Sequence, residues 1–218
     1  MNIISVVPAR GGSKGIHGKN IISVAGKPLL GWTVEQSIKT ESIQRTFVST
    51  NDQEIEKVAL QHNAEIIHRP DSLCGDNEPS ESALLHALDY LKEDEGLEPD
   101  IVVFLQCTSL LRKKDDIDNV IKLLLNNNAD SLISGSKFED FLFWKKRNIK
   151  WESINFDYKK RGQKQNRNPQ FVENGSIYIF KPEVLKKYNN RIGDKMALYE
   201  MEFWQTWEID TSENISLI

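Results

Sequence analysis

Arg10, Lys14 and Lys19 stand among Gly11, Gly12, Gly15 and Gly18 in the stretch PARGGSKGIHGKN, Pro8 to Asn20, directly after the apolar run IISVV. Glycines let backbone N–H groups approach a ligand closely, and an anion is the natural ligand for such a nest. Lysine supplies mobile positive charge and arginine a forked one, a combination suited to a polyphosphate. Two familiar phosphate templates fail here. The P-loop needs four residues between its glycines and then Gly-Lys-Ser/Thr, whereas Gly12 and Gly18 enclose five and Asn20 follows Lys19. The dinucleotide fingerprint fails because Gly12, Gly15 and Gly18 are spaced by three. The plain alternative is a solvated surface loop, but its charge density and its place after a strand favour a phosphate ligand.

A second constellation is Glu208 and Asp210 in WEID. Read as a strand, the segment projects both carboxylates from one face, where they can hold magnesium near a triphosphate. A pair of exposed acids is the plain alternative. Gln106, after the apolar run DIVVFL, reads by itself as a cap for backbone groups. His62, His68 and His86 do not cluster and read as structural or surface residues. Neither Ser13 nor Cys107 has an evident base partner, so covalent catalysis is not expected.

These residues need a scaffold, and the apolar patterning describes one. NIISVV, RTFVST, AEIIHR, DIVVFLQ, ADSLISGS and GSIYIF read as strands, with WEID on the last one. Between them KPLLGWTVEQSIKT, NDQEIEKVALQHN, SESALLHALDYLKED and KDDIDNVIKLLLNN carry helical periodicity. Alternating strands and helices predict an α/β fold with a doubly wound, mainly parallel sheet. Ligands bind beyond the carboxyl ends of such strands, where Arg10 and Gln106 fall. The 218 residues suit a single domain, 1–218, and 39% hydrophobic with 28% charged residues is ordinary for a globular protein. The net charge of -4 argues against a nucleic-acid partner. The apolar runs are too short for a signal peptide or a membrane span, and the two cysteines lack metal-ligand spacing, so a cytoplasmic, reduced protein is expected. From 137 to 172 the pattern breaks into aromatic and basic residues, expected to form a protruding arm that packs on a second subunit.

ARGGSKGIHGKN resembles the signature loop of the acylneuraminate cytidylyltransferases, the CMP-sialic acid synthetase family. AGKPLLGWT, VSTND, HRPDSL with GDNEPSES, LQCTSLLR, VENGSIYIF and WEIDT are similar to later blocks of that family in the same order, over nearly the whole chain. The resemblance implies a Rossmann-like nucleotidyltransferase fold, a homodimer made through the arm, and transfer of the cytidylyl group from CTP to an acidic nine-carbon sugar. It implies that Arg10, Gly11, Gly12, Lys14 and Lys19 hold the triphosphate, with Arg10 and Lys19 catalytic, and that Asn20, Arg69 and Ser80 surround the cytidine. It places Gln106, Thr108 and Ser109 on the sugar side and Mg2+ on Glu208 and Asp210. Arg161, Lys164 and Arg167 become candidates for the sugar carboxylate.

Four positions depart from the family pattern. His17 stands where many relatives have proline, Cys107 and Leu110 stand where prolines are usual, and Glu208 replaces the aspartate of some relatives. The absent prolines bear on the sugar-side wall, so the acceptor stays open between sialic acid, legionaminate, pseudaminate, KDN, an octulosonate and a phosphonate. A non-catalytic nucleotide-binding relative is the alternative from another class.

Overall fold

The computed structural model describes residues 1–12, 15–138, 141–163 and 169–216. In chain order its strands are β1 Ile3–Pro8, β2 Ser23–Val24, β3 Lys27–Pro28, β4 Arg45–Thr50, β5 Glu65–His68, β6 Ile101–Leu105, β7 Ser131–Lys137, β8 Trp144–Arg147, β9 Lys150–Ser153, β10 Phe171–Phe180 and β11 Met196–Met201. Its helices are α1 Leu29–Ile38, α2 Gln53–Gln61, α3 Ser80–Glu95, α4 Asp116–Asn126, α5 Pro182–Tyr188 and α6 Ser212–Ile215. Seven strands form one sheet in the order β11-β7-β10-β6-β1-β4-β5. The pairings β11·β7, β6·β1, β1·β4 and β4·β5 are parallel, and β10 runs antiparallel to both its neighbours. The mainly parallel α/β fold read from the sequence is the one observed.

Alternation along the central strands explains the two-layered cover. On β1, Ile3 and Val7 face a core completed by Leu30 of α1, Ile55 of α2 and Ile117 of α4. Ile4 and Val6 face the opposite core, completed by Leu84 and Leu91 of α3 and Leu185 of α5. A strand buried on both faces needs apolar residues at every position, which is why β1 and β6 read as unbroken runs. Ser5 is the exception on β1. Its hydroxyl is 2.5 Å from that of Ser37, which in turn lies 2.7 Å from Thr46 Oγ1, so these buried hydroxyls satisfy one another. Asp52 caps α2 by accepting hydrogen bonds from the Glu54 and Ile55 N–H groups at 2.8 and 3.0 Å.

The structure corrects the reading of WEID as the last strand. Residues 207–210 are extended but belong to no sheet, and their backbone link to the strand-end loop is a hydrogen bond from Ile209 N–H to the Thr108 carbonyl at 3.1 Å. The alternation survives without the ladder: Ile209 is fully buried, and Glu208 and Asp210 flank it on the outer side. The seventh strand is instead β11, whose half-buried edge sequence MALYEM carries too weak an apolar signal to read in advance.

Residues 137–172 leave the sheet where β7 and β10 pair out to Lys137 and Phe171. Within them β8 and β9 form an antiparallel hairpin whose residues are almost all exposed. Phe138 stacks on Phe141 and Phe143 with ring centroids 4.7 and 5.1 Å apart, while Trp144 meets Phe156 edge-on. Trp151 and Ile154 remain open to solvent.

Of the two free cysteines, Cys107 is buried at the carboxyl end of β6 and Cys74 is partly exposed. Burial pushes the Cys107 thiol up to about 12. A thiol reagent is expected to label one equivalent, at Cys74, in the native protein and two after denaturation; two native equivalents would contradict the packing around β6.

Candidate active site

Parallel strands put their carboxyl ends on one edge of the sheet, and the polar side chains gather there. Arg10 follows β1, Asn51 follows β4, Arg69 follows β5 and Gln106 follows β6. The antiparallel β10 brings Asn174 and Gly175, near its start, to the same edge. Two cavities open there. The first, about 210 Å³, is lined by Arg10, Lys19, Asn20, Ser80, Gln106 and Thr108, with Pro8, Gly15, Phe104 and Cys107. The second, about 490 Å³, is lined by Gln106, Glu173, Asn174, Gly175, Tyr178, Thr206, Glu208, Asp210 and Asn214. Gln106 lines both and so marks their boundary.

Each cation in the first cavity is held by a carboxylate. Arg10 donates from Nη1 to the Cys74 carbonyl at 2.9 Å, and its Nη2 lies 3.0 Å from Asp76. Lys19 donates to Asp210 Oδ1 at 2.9 Å, reaching from the first cavity to the wall of the second. Asn20 is 7% exposed and donates its side-chain amide to the Arg10 carbonyl at 3.0 Å, so it pins the loop as well as lining the cavity. Ser80 begins the sixteen-residue α3, whose N-terminal dipole adds partial positive charge beside Arg10 and Lys19.

The glycines divide into required and free positions. A Cβ at Gly11 would stand 2.7 Å from Asp52 Oδ2, and one at Gly15 would stand 2.7 Å from the Asp210 carbonyl. Both are close approaches that only glycine permits. A Cβ at Gly12 would meet nothing within 4 Å among the described residues. The Gly11 N–H is already engaged, donating to Asn51 Oδ1 at 3.1 Å. Lys14 lies outside the described residues, as do Lys164 and Arg167.

Arg69 is 7% exposed, and among the described residues its Nε and Nη2 have no hydrogen-bond partner. Unpartnered buried donors are costly, and a ligand's acceptors would relieve them. Thr108, expected beside Gln106 on the sugar side, opens on the first cavity rather than the second. Ser109 is 1% exposed and acts through its neighbour, donating to Glu208 Oε1 at 2.9 Å.

The second cavity holds residues that the sequence reading passed over: Glu173, Asn174, Gly175 and Tyr178 from β10, Thr206, and Asn214 from α6. The visible signal was a glycine inside a strand pattern. Gly175 has a φ of 65°, and a Cβ there would overlap Glu208 Oε1 and stand 2.6 Å from Gln106 Oε1. The register shift between Glu173 and Tyr178 against β7 is the bulge that accommodates it. Tyr178 donates to Glu173 at 2.5 Å, and burial raises its hydroxyl to about 12. Burial likewise raises the Glu208 carboxyl above its ordinary value; the Ser109 hydroxyl opposes the shift and the Asp210 charge adds to it.

A family model described as cytidylyltransferase matches residues 4–211. The chain is 30% identical to N-acylneuraminate cytidylyltransferase A of Danio rerio over 96% of its own length and 48% of that relative's. It is also 30% identical to a pseudaminic acid cytidylyltransferase of Campylobacter jejuni, over 64% of this chain and 60% of that one. It thus spans about half the length of the first of these curated relatives. Among solved structures its fold is similar to CMP:2-keto-3-deoxy-manno-octonic acid synthetase complexed with CTP, with a TM-score of 0.73 at 15% identity, covering 100% of this chain and 96% of that one.

The Arg10–Asp76 pair is partly exposed, with side chains 31% and 37% accessible, so its strength is modest. If Asp76 occupies the place of an anion, Asp76→Asn is expected to tighten binding of inorganic tripolyphosphate roughly two- to fivefold by calorimetry. An unchanged or weaker affinity would show that the pair does not compete with the ligand.

Proposed function

This chain belongs to the cytidylyltransferase family, and from that premise we propose that it transfers the cytidylyl group of CTP to a nonulosonic, sialic-type acid, giving the CMP-sugar and pyrophosphate. The observation that carries this reading is the pair of cavities meeting at Gln106, one cationic and the other polar and large enough for a sugar. The triphosphate lies against Arg10, Gly11, Gly12, Lys14 and Lys19, and the cytidine among Asn20, Arg69 and Ser80. The acceptor lies against Gln106 in the second cavity, with Thr108 near the boundary and Ser109 acting through Glu208.

The acceptor's anomeric hydroxyl attacks the α-phosphate in line, the new P–O bond forms, the bond to the β-phosphate breaks and pyrophosphate leaves. Arg10 and Lys19 supply fixed positive charge where negative charge spreads over the phosphate oxygens. Lys19 reaches that role by leaving Asp210.

The donors also fit Mg2+. Glu208, Asp210 and Gln106 present side-chain oxygens to one cavity, a set that a hard divalent cation completes with phosphate oxygens. Among the described residues no group of three or more His, Cys, Asp or Glu is placed to hold a metal alone. Glu208 and Asp210 would hold the ion beside the nucleotide, and when bound it neutralises phosphate charge.

The remaining parts of the reading concern the assembly. No described helix is long and apolar enough to cross a membrane, and the reading is of a cytoplasmic enzyme. Exposed Phe141, Phe143, Trp144 and Trp151 support the arm at 137–172 as a homodimer contact. Among the described residues no lysine or arginine lines the second cavity, so the acceptor's carboxylate draws its cation from elsewhere, with Arg161, Lys164 and Arg167 of the arm as candidates.

Pyrophosphate release from CTP and magnesium, measured over N-acetylneuraminate, legionaminate, pseudaminate, KDN and an octulosonate, tests the reading. Release with one acceptor is the expected result, and none with any of them would overturn it. Arg10→Ala is expected to lower turnover about 10²–10³-fold with the thermal transition unchanged; full activity would remove Arg10 from the mechanism. Asp210→Asn is expected to shift the magnesium titration to higher concentration, and a titration identical to wild type would refute the metal assignment.

A further inference from the structure

Behind Gln106 the chain carries a buried cation that the chemistry above does not use. Arg112 is 7% exposed, and among the described residues it makes no salt bridge. Four neutral oxygens accept from its two terminal nitrogens instead, and its Nε has no hydrogen-bond partner among the described residues. Its Nη1 donates to Thr33 Oγ1 at 3.2 Å and Gln36 Oε1 at 3.0 Å, and its Nη2 donates to the carbonyls of Gln106 and Ser176, both at 2.8 Å. Burying a charge without a counter-charge is costly, and burial lowers the guanidinium's pKa to about 10. An apolar residue would fill the space at lower cost, so the feature calls for a geometric explanation.

That geometry is specific. Gln106 and Gly175 both line the second cavity, side by side at the paired ends of β6 and β10, and Ser176 directly follows Gly175. One nitrogen of Arg112 therefore clamps both strand ends from behind the wall they share. Around it, further groups hold the same wall. The Gln36 amide donates to the Leu110 carbonyl at 2.9 Å, the Gln205 amide to Leu111 at 2.9 Å, Thr33 to Cys107 at 3.5 Å, and the Ile209 N–H to Thr108 at 3.1 Å. Five backbone carbonyls between 106 and 111 are thus tied down from outside the wall, and Arg112 also links two of the tethers to each other. Cys107 and Leu110 carry free φ angles where proline would set them, so the tethers do the stiffening.

We propose that Arg112, oriented by Gln36, is a positioning residue that sets the place of Gln106 against Gly175 and thereby governs the fit of the acceptor far more than that of the nucleotide. This rests on the reading of the second cavity as the acceptor site. The planar fork is required, because a lysine ammonium presents its donors from one point and cannot span the Gln106 and Ser176 carbonyls together with Gln36.

The test compares Arg112→Lys with wild type in three measurements: the KM values for acceptor and for CTP, the ratio of kcat/KM between two acceptors, and amide hydrogen exchange. Losing charged hydrogen bonds behind the wall is expected to raise the acceptor KM about tenfold or more. The CTP KM should stay within about twofold and the acceptor ratio should change. Exchange should quicken in 106–111 and 174–177 but not in 15–22. Equal change in both KM values, an unchanged acceptor ratio, or exchange that quickens evenly through the fold would overturn the proposal, since a purely structural role predicts those. If Arg112→Lys does not fold, Gln36→Met removes the orienting partner from a half-buried position and carries the same measurements, with a smaller expected rise in acceptor KM. If wild type turns over no acceptor, the functional reading fails by itself, and the local or global pattern of exchange still decides whether Arg112 positions the wall.

Discussion

Two cations at one sheet edge, in a chain of net negative charge, must be compensated, and here the chain does it with its own aspartates. Arg10 is held against Asp76 and Lys19 against Asp210, at 3.0 and 2.9 Å. Those two pairs tie the glycine loop after β1 to the loop before α3 and to the extended segment after β11. The segments share no ladder, so charge pairing, the Arg10 hydrogen bond to the Cys74 carbonyl and the close approach of Gly15 to the Asp210 carbonyl are what bring them together. On the proposed reading, a polyanionic ligand in the first cavity would replace carboxylate oxygens with phosphate oxygens at both cations and release Asp210 towards the second cavity. On that reading the Lys19–Asp210 contact couples the two cavities.

The second dependency is mechanical. Gln106 belongs to both cavities, and its backbone is fixed from behind by a guanidinium that also holds Ser176. The fold supplies this cheaply because β6 and β10 are neighbours in the sheet, so a single side chain reaches both strand ends. Gly175 is required between them, since any side chain would collide with Glu208 and Gln106. Stability is conceded at this edge, in donors of Arg112 and Arg69 that are buried without partners among the described residues and in a Glu208 carboxyl raised by burial. Such concessions gather where ligands bind.

What was legible in the sequence follows from where each signal resides. β1 and β6 were plain because burial on both faces forbids polar residues, and the four long helices were plain from their apolar spacing. The cationic loop stood out as a candidate because its signal is local: glycines and cations within a few residues of a strand end. β11 escaped because it is a half-exposed edge, and α5 because seven residues carry little periodicity. WEID was half right, in that alternation does place Glu208 and Asp210 together, yet alternation cannot say whether a ladder partner exists. Asp76 and Arg112 were invisible for one shared reason. Their roles are contacts with residues far away in the chain, and no local pattern announces them.

The central claim is that one sheet edge separates a nucleotide side from an acceptor side at Gln106. Amide hydrogen exchange measured first with CTP and magnesium and then with acceptor added tests it most directly. The account predicts that CTP and magnesium protect residues 15–22, 69–80 and 208–210, and that 173–176 gains most of its protection only when the acceptor joins. Full protection of 173–176 by nucleotide alone, or protection by acceptor on the Arg10 side, would contradict it.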